Sequence, residues 1–202
     1  MMKLALGLIA ATALLASCGS SGTAPDGSGS GRILSLKTQF TSSTNPTPVY
    51  VGCDTVSGAA SGREKKTQVV VNFSVAGTIS SVRTQLKGVT TDTSGTTFDK
   101  TFVLSDPNVI KLADGTYQIL FDADSSSGQF LPTSIVVEPN PKVRDPAPVT
   151  VNSADKVGQG FYAYLTITTN TGAKIPLTSQ FALPIIPVYT NCTLNTAQPL
   201  SK

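Results

Sequence analysis

Histidine and tryptophan are absent from this chain of 202 residues, and charged residues make up only 13% of it. Without histidine, the commonest general base and the commonest ligand of transition metals are both missing. The low charged fraction, with no long run of one sign, excludes a solvating disordered chain and a nucleic-acid-binding arm. We therefore expect a non-enzymatic protein that needs no cofactor and binds no nucleic acid.

Hydroxylated side chains are abundant by contrast, with 22 Ser and 27 Thr in the chain. Threonine suits a pleated strand because its branched side chain packs well on the sheet surface. From Arg32 onward, short apolar runs of period two alternate with turn signals about every ten residues, and no long stretch has helical periodicity. The sequence therefore predicts an all-β chain.

The N-terminal segment has the composition of a targeting signal. A positive start at Lys3 precedes an almost unbroken apolar stretch over 4–17, which is too short to span a bilayer comfortably. The stretch ends in Leu15-Ala16-Ser17-Cys18, which resembles the bacterial lipobox. The resemblance implies a signal peptide over 1–17 and lipidation of Cys18 as the mature N-terminus. The alternative is an ordinary secreted protein with a chance cysteine near its cleavage site.

Acylation of Cys18 would attach the mature protein to the lipid bilayer, since two or more acyl chains give stable anchoring. The resemblance thus places the protein outside the cytoplasm, anchored in the cell envelope. The residue after Cys18 is Gly19, and this implies the outer membrane in a Gram-negative cell. Residues 18–31 are rich in Gly and Ser, which predicts a flexible tether with a reach of roughly 20 Å.

Two cysteines remain after Cys18, and we expect Cys53 and Cys192 to form a disulfide in an oxidising compartment. Each cysteine ends the pattern P-V-Y-x-x-C, at 48–53 and at 187–192, which indicates matched extended segments. The bridge would join the start of the domain to its end. It therefore favours one folded unit over 32–202.

We expect this unit to be an antiparallel β-sandwich with long loops. Val69, Val71 and Phe73 point to one face of a predicted strand with Asn72 and Ser74 on the other, and a second alternating run begins at Val82. Asp114-Gly115-Thr116-Tyr117 resembles the tyrosine-corner signature of immunoglobulin-like sandwiches, with one residue missing between Asp and Gly. The resemblance implies an immunoglobulin-like arrangement. Two small sandwiches divided within 139–148 are the alternative, because this stretch is rich in proline.

Two segments are candidate contact surfaces for a partner. Tyr162 and Tyr164 lie on the strand face opposite Phe161, so either a second layer covers them or they contact a partner. The second segment, over 181–188, contains Leu183, Ile185 and Ile186 and is interrupted by Pro184 and Pro187, which predicts an edge or polyproline-like strand packed on the core or on another protein.

A metal site at Asp122 and Asp124 has less support in the sequence than the two contact surfaces. Asp122 and Asp124 begin a polar loop that partly matches a calcium-binding pattern, but the glycine and the last ligand are misplaced. We expect no metal there, and a polar connection between strands instead.

These patterns together predict a lipid-anchored envelope protein whose sandwich is a non-enzymatic binding or structural module, acting on another envelope component. One alternative is a small-ligand or substrate-delivery lipoprotein, which requires a concave apolar pocket. A second alternative is a glycan hydrolase that uses carboxylates alone, which requires two facing Asp or Glu side chains across a groove.

Overall fold

The computed structural model describes residues 20–43, 47–58, 66–94, 99–106, 109–124, 135–136 and 146–195. This part of the chain is almost entirely β-structure, with one short 3-10 turn at Ser153–Asp155. The strands are β1 (Ser21–Thr23), β2 (Gly29–Thr38), β3 (Phe40–Ser42), β4 (Val49–Ser57), β5 (Lys66–Gly77), β6 (Ile79–Gly88), β7 (Asp99–Phe102), β8 (Val109–Lys111), β9 (Tyr117–Asp124), β10 (Ile135–Val136), β11 (Ala147–Val151), β12 (Lys156–Thr169), β13 (Lys174–Thr178) and β14 (Ile186–Leu194).

The strands form two sheets. Sheet A has the order β1-β2-β5-β9-β10, with β8 also paired to β9. Sheet B has the order β11-β3-β4-β14-β12-β6-β7, with β13 also paired to β12. All pairings are antiparallel except β3 with β11 and β4 with β14. The predicted all-β sandwich is confirmed, while its immunoglobulin-like form stays a prediction.

The main core lies between the two sheets and follows the alternation seen in the sequence. Val69, Val71 and Phe73 of β5 are buried and contribute to the same cluster as Leu86 of β6 and Leu165 of β12. Each such side chain contributes roughly 1.5–3 kcal/mol when it is fully removed from water. In β5 the residues between them, Val70 and Asn72, lie on the opposite face of the strand, as the period of two predicts.

A second, smaller core lies inside a closed ring of four strands, because β3 and β14 each pair with both β4 and β11. The Cys53–Cys192 disulfide is inside this ring, and both cysteines are buried beside Phe40 and Val149. The predicted bridge is therefore confirmed. It closes a loop with a sequence separation of 139 residues, for which chain entropy gives about 5 kcal/mol at most.

One continuous stretch of backbone passes from sheet A into sheet B at Gln39, between β2 and β3. The N–H of Gln39 donates to the carbonyl of Gln68 in β5 at 3.0 Å, and its carbonyl accepts from the N–H of Ala147 in β11 at 2.8 Å. The chain thus changes sheets without leaving a backbone polar group unpaired at this residue. The two cores share this strand.

A buried threonine makes a second connection between the sheets. Thr67 of β5 is fully buried, and its Oγ1 accepts from the N–H of Cys53 at 3.1 Å and donates to the Cys53 carbonyl at 2.7 Å. One hydroxyl therefore satisfies both backbone polar groups of a cysteine in the disulfide.

The prediction of a flexible tether over 18–31 is wrong from residue 20 onward. β1 and the start of β2 form an antiparallel hairpin, with Gly22 opposite Gly31. The glycines are required by close packing: a Cβ on Gly31 would lie 2.1 Å from Cδ1 of Ile167, and one on Gly22 would lie 2.9 Å from Cγ2 of Ile175. The segment has the glycine-rich composition of a flexible linker. Here, however, the absence of side chains at these glycines lets the strands approach the opposite sheet closely.

The prediction that prolines keep 181–188 out of a central strand is also wrong. β14 lies between β4 and β12, although Pro187 is its second residue. The register with β12 shifts between Val157 and Phe161, opposite this proline. Gly160 in the shifted stretch has a φ of +91°, and a Cβ there would lie 2.1 Å from the carbonyl oxygen of Ile186. Because β12 is irregular opposite Pro187, the pairing of β12 with β14 requires no hydrogen bond from the N–H that proline lacks.

Candidate binding groove

Tyr162 is not available for contact with a partner as it stands, because only 2% of it is exposed. Its hydroxyl donates a hydrogen bond to the carboxylate of Asp92 in the loop between β6 and β7. Burial and this hydrogen bond raise the pKa of the Tyr162 hydroxyl above its usual range. Of the two interpretations left open by the sequence, coverage by another part of the chain is the correct one for this residue.

Tyr164 remains half-buried beside a small group of charged residues. Lys87 Nζ lies 4.5 Å from the centre of the Tyr164 ring and 3.5 Å from Asp92 Oδ1. The hydrogen bond from Tyr162, and then the charge of Lys87, lower the pKa of Asp92. Tyr164 is thus part of a polar outer face on sheet B and has its own intramolecular contact.

The same outer face continues with a second set of paired polar groups. Arg83 of β6 forms an ion pair with Asp99 of β7, and Gln85 donates to Asp99 Oδ2 at 3.1 Å. The hydrogen bond from Arg83 lowers the pKa of Asp99. This face therefore has the character of a solvated sheet surface.

The second predicted surface, around Leu183, lies in the loop between β13 and β14. β13 ends at Thr178, and the next residue holds the loop in place. Ser179 is buried, its Oγ accepts from the N–H of Ala163 at 2.8 Å, and its carbonyl accepts from the N–H of Leu183 at 2.9 Å. Leu183 and Ile185 are half-buried, whereas Ile186 is only 1% exposed and belongs to the main core. Ile186 is therefore a core residue and not a partner contact by itself.

This loop forms one wall of an apolar groove. The groove has a volume of about 390 Å³ and lies where three segments meet: the end of β2, the start of β4 and the loop before β14. Its lining residues are Ser35, Leu36, Lys37, Thr47, Pro48, Val49, Tyr50, Leu183, Pro184 and Ile186.

The chemistry of the groove suits an apolar group with a polar or anionic end. Leucine, proline, valine and isoleucine side chains make most of the wall, while Lys37 is exposed and Tyr50 is half-buried. No carboxylate, thiol or other acid-base side chain apart from Lys37 and Tyr50 is present in this lining. The arrangement can bind, but it offers no pair of groups for hydrolysis.

The sequence located one wall of this groove and missed the other two. Pro48, Val49 and Tyr50 belong to the first P-V-Y-x-x-C segment, which was interpreted only as a flank of the disulfide. The signal that could have identified them is an exposed Pro-Val-Tyr run beside a strand end. Leu36 carried no such signal, because it reaches the groove only through the pairing of β2 with β5.

A second hollow of about 640 Å³ lies over β1, β2 and β5 of sheet A. Its lining is made of small side chains and backbone, with Arg32 as its only charged residue. Its lining also lacks a carboxylate.

The weak metal candidate is placed only by its backbone. Asp122 and Asp124 are alternate residues of β9, opposite Gln68 and Lys66 of β5, and their side chains lie outside the described residues. Within the described ranges, no cluster of three His, Cys, Asp or Glu side chains could hold a metal ion. The absence of a calcium site at these two residues stays a prediction.

Cys18 and the signal peptide over 1–17 lie outside the described residues, so lipidation stays a prediction. From Ser20 onward, in the ranges that the structure describes, no helix has the length and apolar character needed to cross a membrane.

Comparison with protein-family models, with curated proteins and with solved structures finds no match for this chain.

Proposed function

We propose that this chain is a lipid-anchored cell-envelope protein that presents a non-enzymatic β-sandwich as a binding module. The residues Leu15-Ala16-Ser17-Cys18 support the anchor, since acylated Cys18 would attach the protein to the bilayer. The buried Cys53–Cys192 bridge supports an extracytoplasmic location, because structural disulfides persist in oxidising compartments. In a Gram-negative cell, Gly19 favours the outer membrane.

The observation that carries the binding role is the apolar groove beside Leu183. Three segments converge on it, one of which, at 183–186, is distant in the sequence from the other two at 35–37 and 47–50, and its wall is mostly apolar with one exposed cation, Lys37. Such a concave apolar surface with few polar groups is typical of a ligand or peptide site. The occupant we favour is an apolar segment of another envelope protein.

The small-ligand alternative has a specific observation in its favour, since it required a concave apolar pocket and the groove is one. The hydrolase alternative has less support, since neither of the two hollows is lined by Asp or Glu. Both remain distinguishable by experiment.

The anchor is tested with Cys18→Ala in the producing bacterium. We expect the wild-type protein to sediment with membranes and to incorporate a labelled fatty acid, and the variant to do neither. A non-reducing gel provides the folding control, because the variant should keep the Cys53–Cys192 bridge. A correctly bridged variant that still sediments with membranes would contradict the anchor.

The groove is tested with a photo-crosslinking amino acid in place of Leu183 in intact cells. Thr101 on the exposed side of β7 is the matched control position. A stoichiometric protein adduct from position 183 alone supports the envelope-partner function. A small apolar molecule attached at position 183, with no protein adduct, overturns it in favour of the small-ligand alternative. Equal labelling at 183 and 101 would show that the groove has no selective occupant.

A further inference from the structure

The pairing of the chain with β2 from Ser20 onward limits the distance between the folded domain and a lipid on Cys18. The carbonyl of Ser20 accepts a hydrogen bond from the N–H of Ile33 at 2.6 Å, so the backbone is fixed to β2 from this residue onward. Only Gly19 separates Ser20 from Cys18. The two Cα atoms of Cys18 and Ser20 can thus be at most about 7 Å apart. A tether of the predicted length would have allowed roughly 20 Å.

The direction of β1 places the lipid attachment close to the groove. β1 is antiparallel to β2, and Ser21 lies opposite Arg32. Moving from Gly22 toward Ser20 therefore follows β2 toward Ser35 and Leu36, which line the groove. Ser20 thus lies at the end of β1 that is nearer the groove.

Exposed apolar side chains flank the same region. In the part of the chain that the structure describes, three large apolar residues are exposed: Leu34 at 38%, Val103 at 50% and Phe181 at 77%. Leu34 directly precedes Ser35, which lines the groove, and Phe181 lies two residues before Leu183 in the loop that forms one wall of the groove. A bilayer interface accommodates exposed apolar side chains of this kind.

The charge on this side complements a membrane that contains anionic lipid. Arg32 and Lys37 are both exposed, and they lie on either side of Leu34 along β2. Cations beside apolar side chains are the usual composition of a surface in contact with anionic headgroups.

We propose that this side of the domain, carrying Leu34, Phe181 and the mouth of the groove, rests directly on a phospholipid bilayer. The proposal rests on the lipid anchor of the proposed function and adds a fixed orientation to it. The groove then opens at the membrane surface. A partner reaches it at the level of the headgroups and not from open solvent.

The test uses full-length lipidated protein in vesicles of phosphatidylethanolamine and phosphatidylglycerol. Leu34→Cys, Phe181→Cys and Val103→Cys are each labelled with a small fluorophore, and quenching by lipids that carry a nitroxide on the acyl chain is measured. Val103 is the matched control, because it directly follows β7. Across sheet B, β7 is four strand spacings, or about 19 Å, from β4, whose start lines the groove. The same labels on Cys18→Ala protein mixed with vesicles give the unanchored baseline.

We expect several-fold stronger quenching at positions 34 and 181 than at 103, and loss of this difference in the Cys18→Ala background. Vesicle-bound protein with equal quenching at all three positions would overturn the orientation and leave the anchor standing. Protein that carries an intact Cys18 but does not sediment with the vesicles would overturn the anchor, and the orientation with it.

Discussion

The hydroxyl of Tyr162, in the middle of sheet B, donates a hydrogen bond to the carboxylate of Asp92, in the loop that crosses above it. Asp92 has a φ of 50°, a left-handed conformation that aspartate tolerates better than most residues. The contact explains why an aromatic side chain on the outer face of a sheet is buried. It also joins the loop between β6 and β7 to β12.

We expect Tyr162→Phe to lower the free energy of unfolding by about 1–2 kcal/mol, since it removes a hydrogen bond to a charged acceptor. Urea unfolding measures the change. Tyr164→Phe is the matched control, because its ring stays beneath Lys87 Nζ and its effect should be smaller. Equal losses in the two variants would mean that the bond to Asp92 adds nothing to stability.

Two buried threonines should respond in opposite ways to the same substitution. Thr67→Val leaves the N–H and the carbonyl of Cys53 without their partner, which costs about 1–3 kcal/mol. Thr84→Val should be neutral or stabilising, because Thr84 Oγ1 is buried and has no hydrogen-bond partner among the described residues. Thermal unfolding of both variants checks the contrast, and a stable Thr67→Val protein would argue against the connection between β5 and β4.

A double-mutant cycle tests the close approach of Gly31 to Ile167. Gly31→Ala should cost about 1–3 kcal/mol by overpacking, and Ile167→Val should cost about 0.5–1.5 kcal/mol by removing Cδ1. The double variant should be more stable than the sum of the two changes, because the atom that clashes with the new Cβ is the one removed. Strictly additive losses in denaturant unfolding would show that β1 and β2 do not pack on Ile167 in this way.

The turn between β1 and β2 should loosen in acid. The pKa of Asp26 is lowered to about 2 by hydrogen bonds from Ser28 and from Thr171, which lies in the turn between β12 and β13. Because the folded pKa lies below the ordinary value of 3.8, the stabilisation is complete above about pH 4 and is lost as the pH falls toward 2. Asp26→Asn should remove this dependence and weaken the hairpin above about pH 4, where the carboxylate of the wild-type protein is ionised.

Hydrogen exchange of the segment 20–31, corrected for the intrinsic exchange rate at each pH, measures this effect. Asp114→Asn is the control: Asp114 accepts from the N–H and the hydroxyl of Thr116 in the same local geometry, but it belongs to the turn before β9. Its variant should leave the protection of 20–31 unchanged. Wild-type protection that is the same at pH 5 and pH 2.5 would contradict the role of Asp26.

Local patterns in the sequence predicted much of the sheet structure. The alternation around Val69 and Val82 predicted which side of each strand is buried. The disulfide followed from cysteine parity. These features depend on neighbouring residues or on simple counting, so no knowledge of the tertiary structure was needed.

The errors concern residues whose role depends on distant parts of the chain. Gly22 and Gly31 were interpreted as flexible because their packing against Ile175 and Ile167 has no trace in the local composition. Pro187 occupies a central strand because β12, about thirty residues earlier, is irregular opposite to it. The groove was missed for the same reason, since its three walls meet only in the folded domain.

The passage of one strand between the sheets at Gln39 has a consequence for how the domain melts. Separation of the ring that holds the disulfide from the main core would break at least one of the two hydrogen bonds of Gln39, to Gln68 of sheet A or to Ala147 of the ring. Each core therefore loses a contact when the other comes apart. The chain should unfold as a single cooperative unit, with one transition seen by every probe, as expected for one domain and not for two small ones joined by a linker.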